Sequence, residues 1–347
     1  MLTIRCTACE MEEPGLLAFL NGCPNSLIYA SPRFMSLVSR HLVAQGGWLE
    51  AVRDGAIVGV LPFMWRDGYL GPVYNSLAYY GSNGAVIQQS KDDEAKAVLL
   101  DAFFEMAAKA GSASATVITN PLEEDADFYR LHAHHDFLDE RIGQITHFIP
   151  GIDPEGLLKS FDDPRPRNIR RAMRDGIVVE RRQDSQAMSF LYDTHVKNMQ
   201  AIGGIAKRSS FFSLVRDTMS PDDWSIYLAK KGDEAVAALL LFNFNRTVEY
   251  FTPVVLEEFR NTQALSLIIY QAMQDSIRRG YINWNWGGTW LSQGGVYDFK
   301  KRWGTTEYPY YYFTRVFRAD VRMQSKDALL KHYEGFYVLP FDGLVAA

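Results

Sequence analysis

A single supersecondary plan is written twice along this sequence. From Trp48 the run WLEAVRDGAIVGVLPFMW reads as two strands joined at Asp54-Gly55, a dipeptide that suits the tight turn of a hairpin. A helical stretch follows at 92–110, closed by Gly111 in the usual C-terminal position, and then a strand-like run ending at Thr119. From Trp224 the run WSIYLAKKGDEAVAALLLFNF again reads as two strands, turning around Lys231-Gly232-Asp233, with a third strand at 247–255. A helix at 261–279 stops at Gly280, and 281–286 alternates as a strand does. Trp224 stands 176 residues after Trp48, and Gly280 stands 169 after Gly111. A shift that nearly constant predicts two related α/β halves, each a mixed, mostly antiparallel sheet flanked by helices. The plainer alternative is a common element order met twice without relationship. Between the halves, residues 150–166 hold four of the fourteen prolines, which fix φ and disfavour helix just before them. The predicted domains are therefore 1–150 and 151–347.

A length of 347 residues accommodates two such domains, and 47% hydrophobic with 22% charged residues excludes wholesale disorder. The longest apolar run, 235–242, is eight residues, far short of the ~20 that a spanning helix needs. The N-terminus MLTIRCTACEMEE has neither the basic nor the apolar region of a secretory signal, so a soluble, cytoplasmic protein is expected. Cys6 and Cys9 form a CxxC, but only Cys23 and His41 could complete a zinc set, so the spacing reads as chance and no metal is expected. His132, His134 and His135, with His147 beyond, lack an acidic ligand pattern and read as a polar helix end. Residues 81–85 read as a turn without a nucleophile. No GxSxG elbow, Walker loop or HExxH occurs, which removes several hydrolase and nucleotidase classes. A net charge of −5 opposes a nucleic-acid footprint over the whole surface, so any anionic partner must meet a local patch.

Residues 165–182, RPRNIRRAMRDGIVVERR, supply that patch: seven arginines against Asp175 and Glu180. Pro166 suits a first helical turn and Gly176 a stop. On the helix between them Arg167, Arg170, Arg171 and Arg174 share one face, with Ile169, Ala172 and Met173 on the other side. Guanidinium forks match phosphate oxygens bidentately. The same face would equally serve as a solvated surface touching carboxylates elsewhere in the fold.

Residues 281–313 hold 12 aromatics in 33 positions, including Trp284, Trp286, Trp290 and Trp303. Two glycine pairs, Gly287-Gly288 and Gly294-Gly295, permit tight turns, and Lys300, Lys301 and Arg302 form a basic triplet. Aromatic faces beside positive charge suit a nucleotide, a sugar or an RNA end. Strand-borne aromatics are more often core, and that reading is preferred for the rings themselves. The lysine-bearing glycine loop is harder to explain as packing.

The pattern RNIRRAMRDGIVVE, followed about 110 residues later by GGVYDFKKRWG, resembles the FemAB-like, peptidoglycan bridge-forming branch of the GNAT acyltransferase superfamily. The resemblance runs through nearly the whole order of elements and is sharp at 165–180 and 284–313. It implies tandem GNAT-like domains without a coiled-coil arm. It further implies an acyltransferase that moves an aminoacyl or acyl group onto an amine, or a hydroxyl, of a phosphate-bearing envelope precursor. Lys300 would contact the donor or the developing charge. Arg167, Arg170 and Arg171 would hold acceptor phosphates, while Tyr297, Lys301, Arg302 and Trp303 would line the substrate or the tRNA acceptor end. No cofactor is implied beyond the donor itself, aminoacyl-tRNA or acyl-CoA. DNA is not expected as a partner, and membrane contact would be peripheral at most. One departure is informative: the turn that grips CoA pyrophosphate in standard GNAT domains carries glycines, and residues 257–266 here, EEFRNTQALS, carry none. A CoA-dependent acyltransferase of exopolysaccharide synthesis and a non-catalytic sugar- or RNA-binding module stay open as alternatives. Asp298 lies near Lys300, but no residue stands out as general base.

Overall fold

The computed structural model describes residues 1–9, 14–79, 83–289 and 294–344. The first repeat runs β1 (Leu2–Ala8), α1 (Pro14–Asn21), α2 (Pro32–Leu42), β2 (Gln45–Arg53), β3 (Ala56–Arg66), β4 (Val73–Asn75), α3 (Asp93–Lys109), β5 (Ser114–Ile118), α4 (Ala126–His132) and β6 (Phe137–His147). Two linker helices follow, α5 (Pro154–Lys159) and α6 (Arg165–Arg174). The second repeat runs β7 (Ile177–Arg182), α7 (Ser185–Ala201), α8 (Ser209–Thr218), β8 (Trp224–Lys231), β9 (Glu234–Phe244), β10 (Thr247–Val255), α9 (Ala264–Arg278), β11 (Asn283–Thr289), α10 (Gly294–Lys301) and β12 (Thr306–Val316). A last helix, α11 (Lys326–His332), precedes the C-terminal segment. The order of strands and main helices is the same in both repeats.

Local chemistry sets these boundaries. Asp54 and Gly55 both take positive φ, 52° and 84°, as a two-residue hairpin turn with the right twist requires. Asp92 caps α3 by accepting from the Ala95 amide, and Asp184 caps α7 through Ala187. Gly111 and Gly280 end α3 and α9 in the left-handed region, where a side chain would be strained. The third strand of the second repeat falls at the expected 247–255, whereas the helix expected from 261 begins at Ala264, behind a 3-10 turn at Glu257–Thr262.

The compact units differ from the two expected lengths of chain. One comprises Met1–Arg141 with Pro309–Ala347, the other Ile142–Tyr308. The division falls inside β6 and β12 because each repeat gives its closing strand to the other unit. In the first unit β12 pairs antiparallel with β5, Tyr312 opposite Ile118. In the second, β6 pairs antiparallel with β11, His147 opposite Asn283. Within each unit one neighbouring pair is parallel, β4 with β5 and β10 with β11. Antiparallel pairing joins β1, β2, β3 and β4 in succession in the first unit, and β7, β8, β9 and β10 in the second. A duplicated sequence carries two equivalent closing strands, and nothing local distinguishes their edges. The core of the second unit lies between its sheet and α5, α6 and α9, where Ile169, Ala172, Leu267, Ile268, Trp284 and Trp303 are buried.

Candidate active site

The site is built where two strands separate. β10 and β11 pair at only three positions, Thr247 with Asn283, Val248 with Trp284 and Glu249 with Asn285. The ladder stops there, although β10 continues to Val255 and β11 to Thr289. Both strands are irregular at that point: β10 shifts register between Tyr250 and Thr252, and β11 between Asn285 and Gly288. Such bulges re-aim side chains and open a sheet. At the apex sits Glu249, 2% exposed, whose Oε1 accepts from Asn285 Nδ2 at 3.3 Å. Asn285 Oδ1 in turn accepts from the Gly287 amide at 2.9 Å, so one side chain joins the carboxylate to the bulge.

Lys300 supports the bulge from α10. Its Nζ donates to the carbonyls of Gly287 and Gly288 at 3.2 and 3.1 Å and to Thr289 Oγ1 at 2.9 Å. Three acceptors match the three donors of an ammonium, and two of them are carbonyls in the bulged segment. Burial pushes the Lys300 ammonium down to about 8. Thr289 Oγ1 donates onward to Gln144 at 3.3 Å, and Gln144 Nε2 donates to the Tyr297 carbonyl at 3.2 Å. A buried polar relay thus ties β6, β11 and α10 together. All three N–H bonds of Lys300 are spent on the protein, so in this structure it acts on the strand.

The two sequence motifs form one assembly. Phe161, beside α6, meets the Trp303 ring at 5.0 Å, and the Asp162 amide donates to the Arg302 carbonyl at 3.0 Å. Gly304 has φ 67°, and a Cβ there would come within 2.9 Å of the Ser160 carbonyl, which explains the glycine in FKKRWG. Arg165 is 8% exposed and lays its guanidinium over Phe299 and Trp303, at 4.3 and 5.3 Å from their centroids. Burial, and after it the nearby Arg302, hold its pKa below the usual guanidinium range. Tyr250, at the β10 bulge, packs on Trp286 at 4.8 Å, and burial raises its phenol pKa. Trp284, Trp286 and Trp303 are all buried, so these rings are core. Trp303 therefore presents no free face to a substrate.

The other residues expected at the site lie outside this assembly's interior. Arg167 is exposed; Arg170 pairs with Glu155 at 3.2 Å and Arg171 with Asp175 at 3.5 Å, both at the surface. Lys301 is exposed above the Tyr297 ring at 5.5 Å, Tyr297 donates its hydroxyl to Glu307, and Arg302 is exposed. Trp290, Gly81 and Ser82 lie outside the described residues. Sequence reasoning missed Arg165 and Glu249. Both carried a signal: Arg165 shares a helical face with Ile169 and Ala172, and Glu249 interrupts an otherwise apolar strand.

The N-terminus of α9 is closed. Gln263 takes φ 61°, and the Ala264 amide donates to Thr262 Oγ1 at 3.4 Å, with Thr262, Ala264 and Ser266 all buried. At the edge of β10 that β11 leaves free, Asn198 of α7 bonds both the amide and the carbonyl of Val255, at 3.1 and 2.9 Å. His195 Nε2 accepts from the Lys207 amide at 3.0 Å, which leaves its proton on Nδ1, and burial holds its pKa down at about 4. Among the described residues no group of three or more His, Cys, Asp or Glu is placed to hold a metal ion. No helix among them is long and apolar enough to cross a membrane.

Residues 165–301 match the acetyltransferase (GNAT) domain family. The fold is similar to that in the crystal structure of FemX, with a TM-score of 0.71 and 16% identity over 87% of this chain and 96% of that one. It is similar as well to a tandem GNAT protein from the clavulanic acid biosynthesis pathway, with a TM-score of 0.55 and 11% identity over 91% and 98%. A third similar structure is the C-terminal domain of a putative lysylphosphatidylglycerol synthetase from Agrobacterium fabrum, with a TM-score of 0.50 and 15% identity over 79% and 83%. No curated protein sequence matches the chain. The domain match is confined to residues 165–301, and beyond it the chain shares the fold of these GNAT-type structures. The element order written twice is shared with the tandem GNAT protein, and the fold with FemX.

Proposed function

We propose that the chain transfers an aminoacyl or acyl group from an activated ester or thioester onto an amine, or a hydroxyl, of a phosphate-bearing cell-envelope or peptidoglycan precursor. The observation that carries this reading is the wedge between β10 and β11, with buried Glu249 at its apex and a bulge on each strand. An extended donor arm can enter the wedge beside β10 between Glu249 and Val255, whose backbone groups Asn198 already holds, and bring its carbonyl to the apex. The attacking nitrogen forms a C–N bond as the ester C–O or thioester C–S bond breaks. Glu249 receives the nitrogen's proton and returns it to the departing oxygen or sulfur. Lys300 holds the Gly287–Gly288 carbonyls so that the β11 side of the wedge keeps its shape.

The donor we favour is aminoacyl-tRNA. The closed, glycine-free entry to α9 offers a pyrophosphate few backbone amides, which disfavours CoA. The resemblance of residues 165–180 and 284–313 to the FemAB-like branch supports the envelope setting. So does the name of the putative lysylphosphatidylglycerol synthetase, which couples a lysyl group to a phosphate-bearing lipid. Arg167, Arg170 and Arg171 would meet acceptor phosphates at the surface, and Lys301 with Arg302 the tRNA end. The test is turnover: the protein is incubated with charged tRNA or acyl-CoA and candidate precursors, and free tRNA or free CoA is followed. Release of tRNA with acceptor modification is expected; release of CoA alone reassigns the donor, and release of neither removes the enzymatic reading.

A further inference from the structure

Arg165 is a buried cation without a counter-charge. No carboxylate pairs with it among the described residues; its Nε has no partner, and its one bond is a long 3.4 Å contact from Nη2 to the Phe299 carbonyl. After burial, the strongest electrostatic influence on it is another guanidinium, that of Arg302, opposed by the Tyr250 phenol. The surroundings are equally short of acceptors. The indole N–H of Trp303 and of Trp284 is buried and unpartnered, and the half-buried Tyr250 feels the charge of Arg165. Burying a charge and several donors unmatched is costly, and ring faces compensate a guanidinium only in part. A chain that keeps this arrangement at the wedge is arranged for an acceptor that arrives with its ligand.

We propose that Arg165, with Tyr250 beside it, is an oxyanion-binding site of the second unit that takes a carboxylate or phosphate of the substrate into the β10–β11 wedge. This rests on the transfer reading above, since it names a group that the substrate must carry near its reacting end. The planar fork and the aromatic backing suit a planar carboxylate or a phosphate edge better than a lysine-like point charge would.

The test compares stability with binding. Wild type, Arg165→Met, Arg165→Lys, Tyr250→Phe and the surface control Arg278→Met are titrated with acetate, inorganic phosphate and pyrophosphate at constant ionic strength. Tryptophan fluorescence and melting temperature are followed. Wild type and R278M are expected to show saturable binding and a raised melting temperature. Arg165→Met should melt at or above the anion-free wild type, because an unpaired buried charge is gone, and should lose at least ten-fold in affinity. R165K and Y250F should fall between. Saturation by acetate alone identifies a carboxylate, and by the phosphates alone a phosphate group. No saturable binding by wild type, or equal binding by R165M, overturns the proposal; so does an R165M that unfolds while Y250F and R165K bind as wild type. The assay needs no turnover, so anion binding through Arg165 without transfer removes only the proposed function. Normal transfer by R165M removes only this inference.

Discussion

The two repeats place the same ladder position in opposite states. Register puts Asn75 and Thr116 of the first unit where Glu249 and Asn285 stand in the second. In the first unit the chain fills the position itself. Asn75 Nδ2 donates to the Tyr337 carbonyl at 2.7 Å, its Oδ1 accepts from the Tyr337 amide at 2.8 Å, and Ser114 Oγ donates to the Val338 carbonyl at 2.7 Å. The C-terminal segment is bound there as an extended arm, held through both backbone groups of Tyr337. In the second unit a carboxylate replaces the amide, and close by lies an arginine with no counter-ion among the described residues. The helix entries diverge as well. At the start of α3 a cleft of about 580 Å³ is lined by Asp93, Glu123, Glu124, Asp125 and Asp127 against Lys91 and Lys96, an excess of negative charge that repels phosphate. The architecture occurs twice; under the proposed function the chemistry of transfer belongs to one copy, while the other holds the chain's own tail.

That contrast can be broken at its strongest point first. Glu249→Gln should lower the transfer rate constant by roughly 100- to 10,000-fold with the fold retained, measured by single-turnover transfer beside circular dichroism. An unchanged rate would remove Glu249 as proton acceptor and with it the chemical difference between the repeats.

Lys300 sharpens the picture through pH. Its pKa is about 8 when folded and 10.5 in the unfolded chain, so between those values the unfolded chain holds a proton that the folded chain has released. The unfolded state binds more protons there, and stability rises with pH across about 8 to 10.5. Urea melts of wild type and Lys300→Met at pH 7 and pH 10 should therefore show the wild type gaining on the variant by up to about 3 kcal/mol. A pH-independent gap would mean that the ammonium is not desolvated.

Asn75→Ala tests the structural copy. It strips the tail of its partners at Tyr337 and should destabilise by about 1–3 kcal/mol in urea melts, with the transfer rate constant of the surviving folded protein unchanged. At the small end, Arg170→Ala and Arg171→Ala break exposed ion pairs and should move stability by less than about 0.5 kcal/mol. A several-fold rise in KM for a phosphate-bearing acceptor is the expected effect of each, and an unchanged KM would leave that helix face merely solvated.

Much of the scaffold was legible in the chain. The hairpin at Asp54-Gly55, the stop glycines 111 and 280 and the strand 247–255 follow from turn chemistry, left-handed φ and alternation, which act over a few residues. The arginine-rich helix was legible as an element, and only part of its chemistry could be read from it. Counting charges drew the eye to Arg167, Arg170 and Arg171, which are exposed, while Arg165 is buried on the apolar face. Likewise Lys300 stood out by its motif, but its bonds run to Gly287, Gly288 and Thr289, whose carbonyls and hydroxyl are placed by the bulge in β11.

What the sequence by itself determined is the repeated order of elements and the pairing of two motifs, because both rest on interactions between near neighbours or on a resemblance carried by the residues themselves. Three things were decided by tertiary structure alone: the exchange of β6 and β12 between units, the parting of β10 from β11, and the burial of Arg165 away from any described carboxylate. Each depends on which of several equivalent edges or charges meet once distant stretches of chain are folded together. Strand edges are chemically alike and a guanidinium accepts any carboxylate within reach, so only the folded geometry chooses among them.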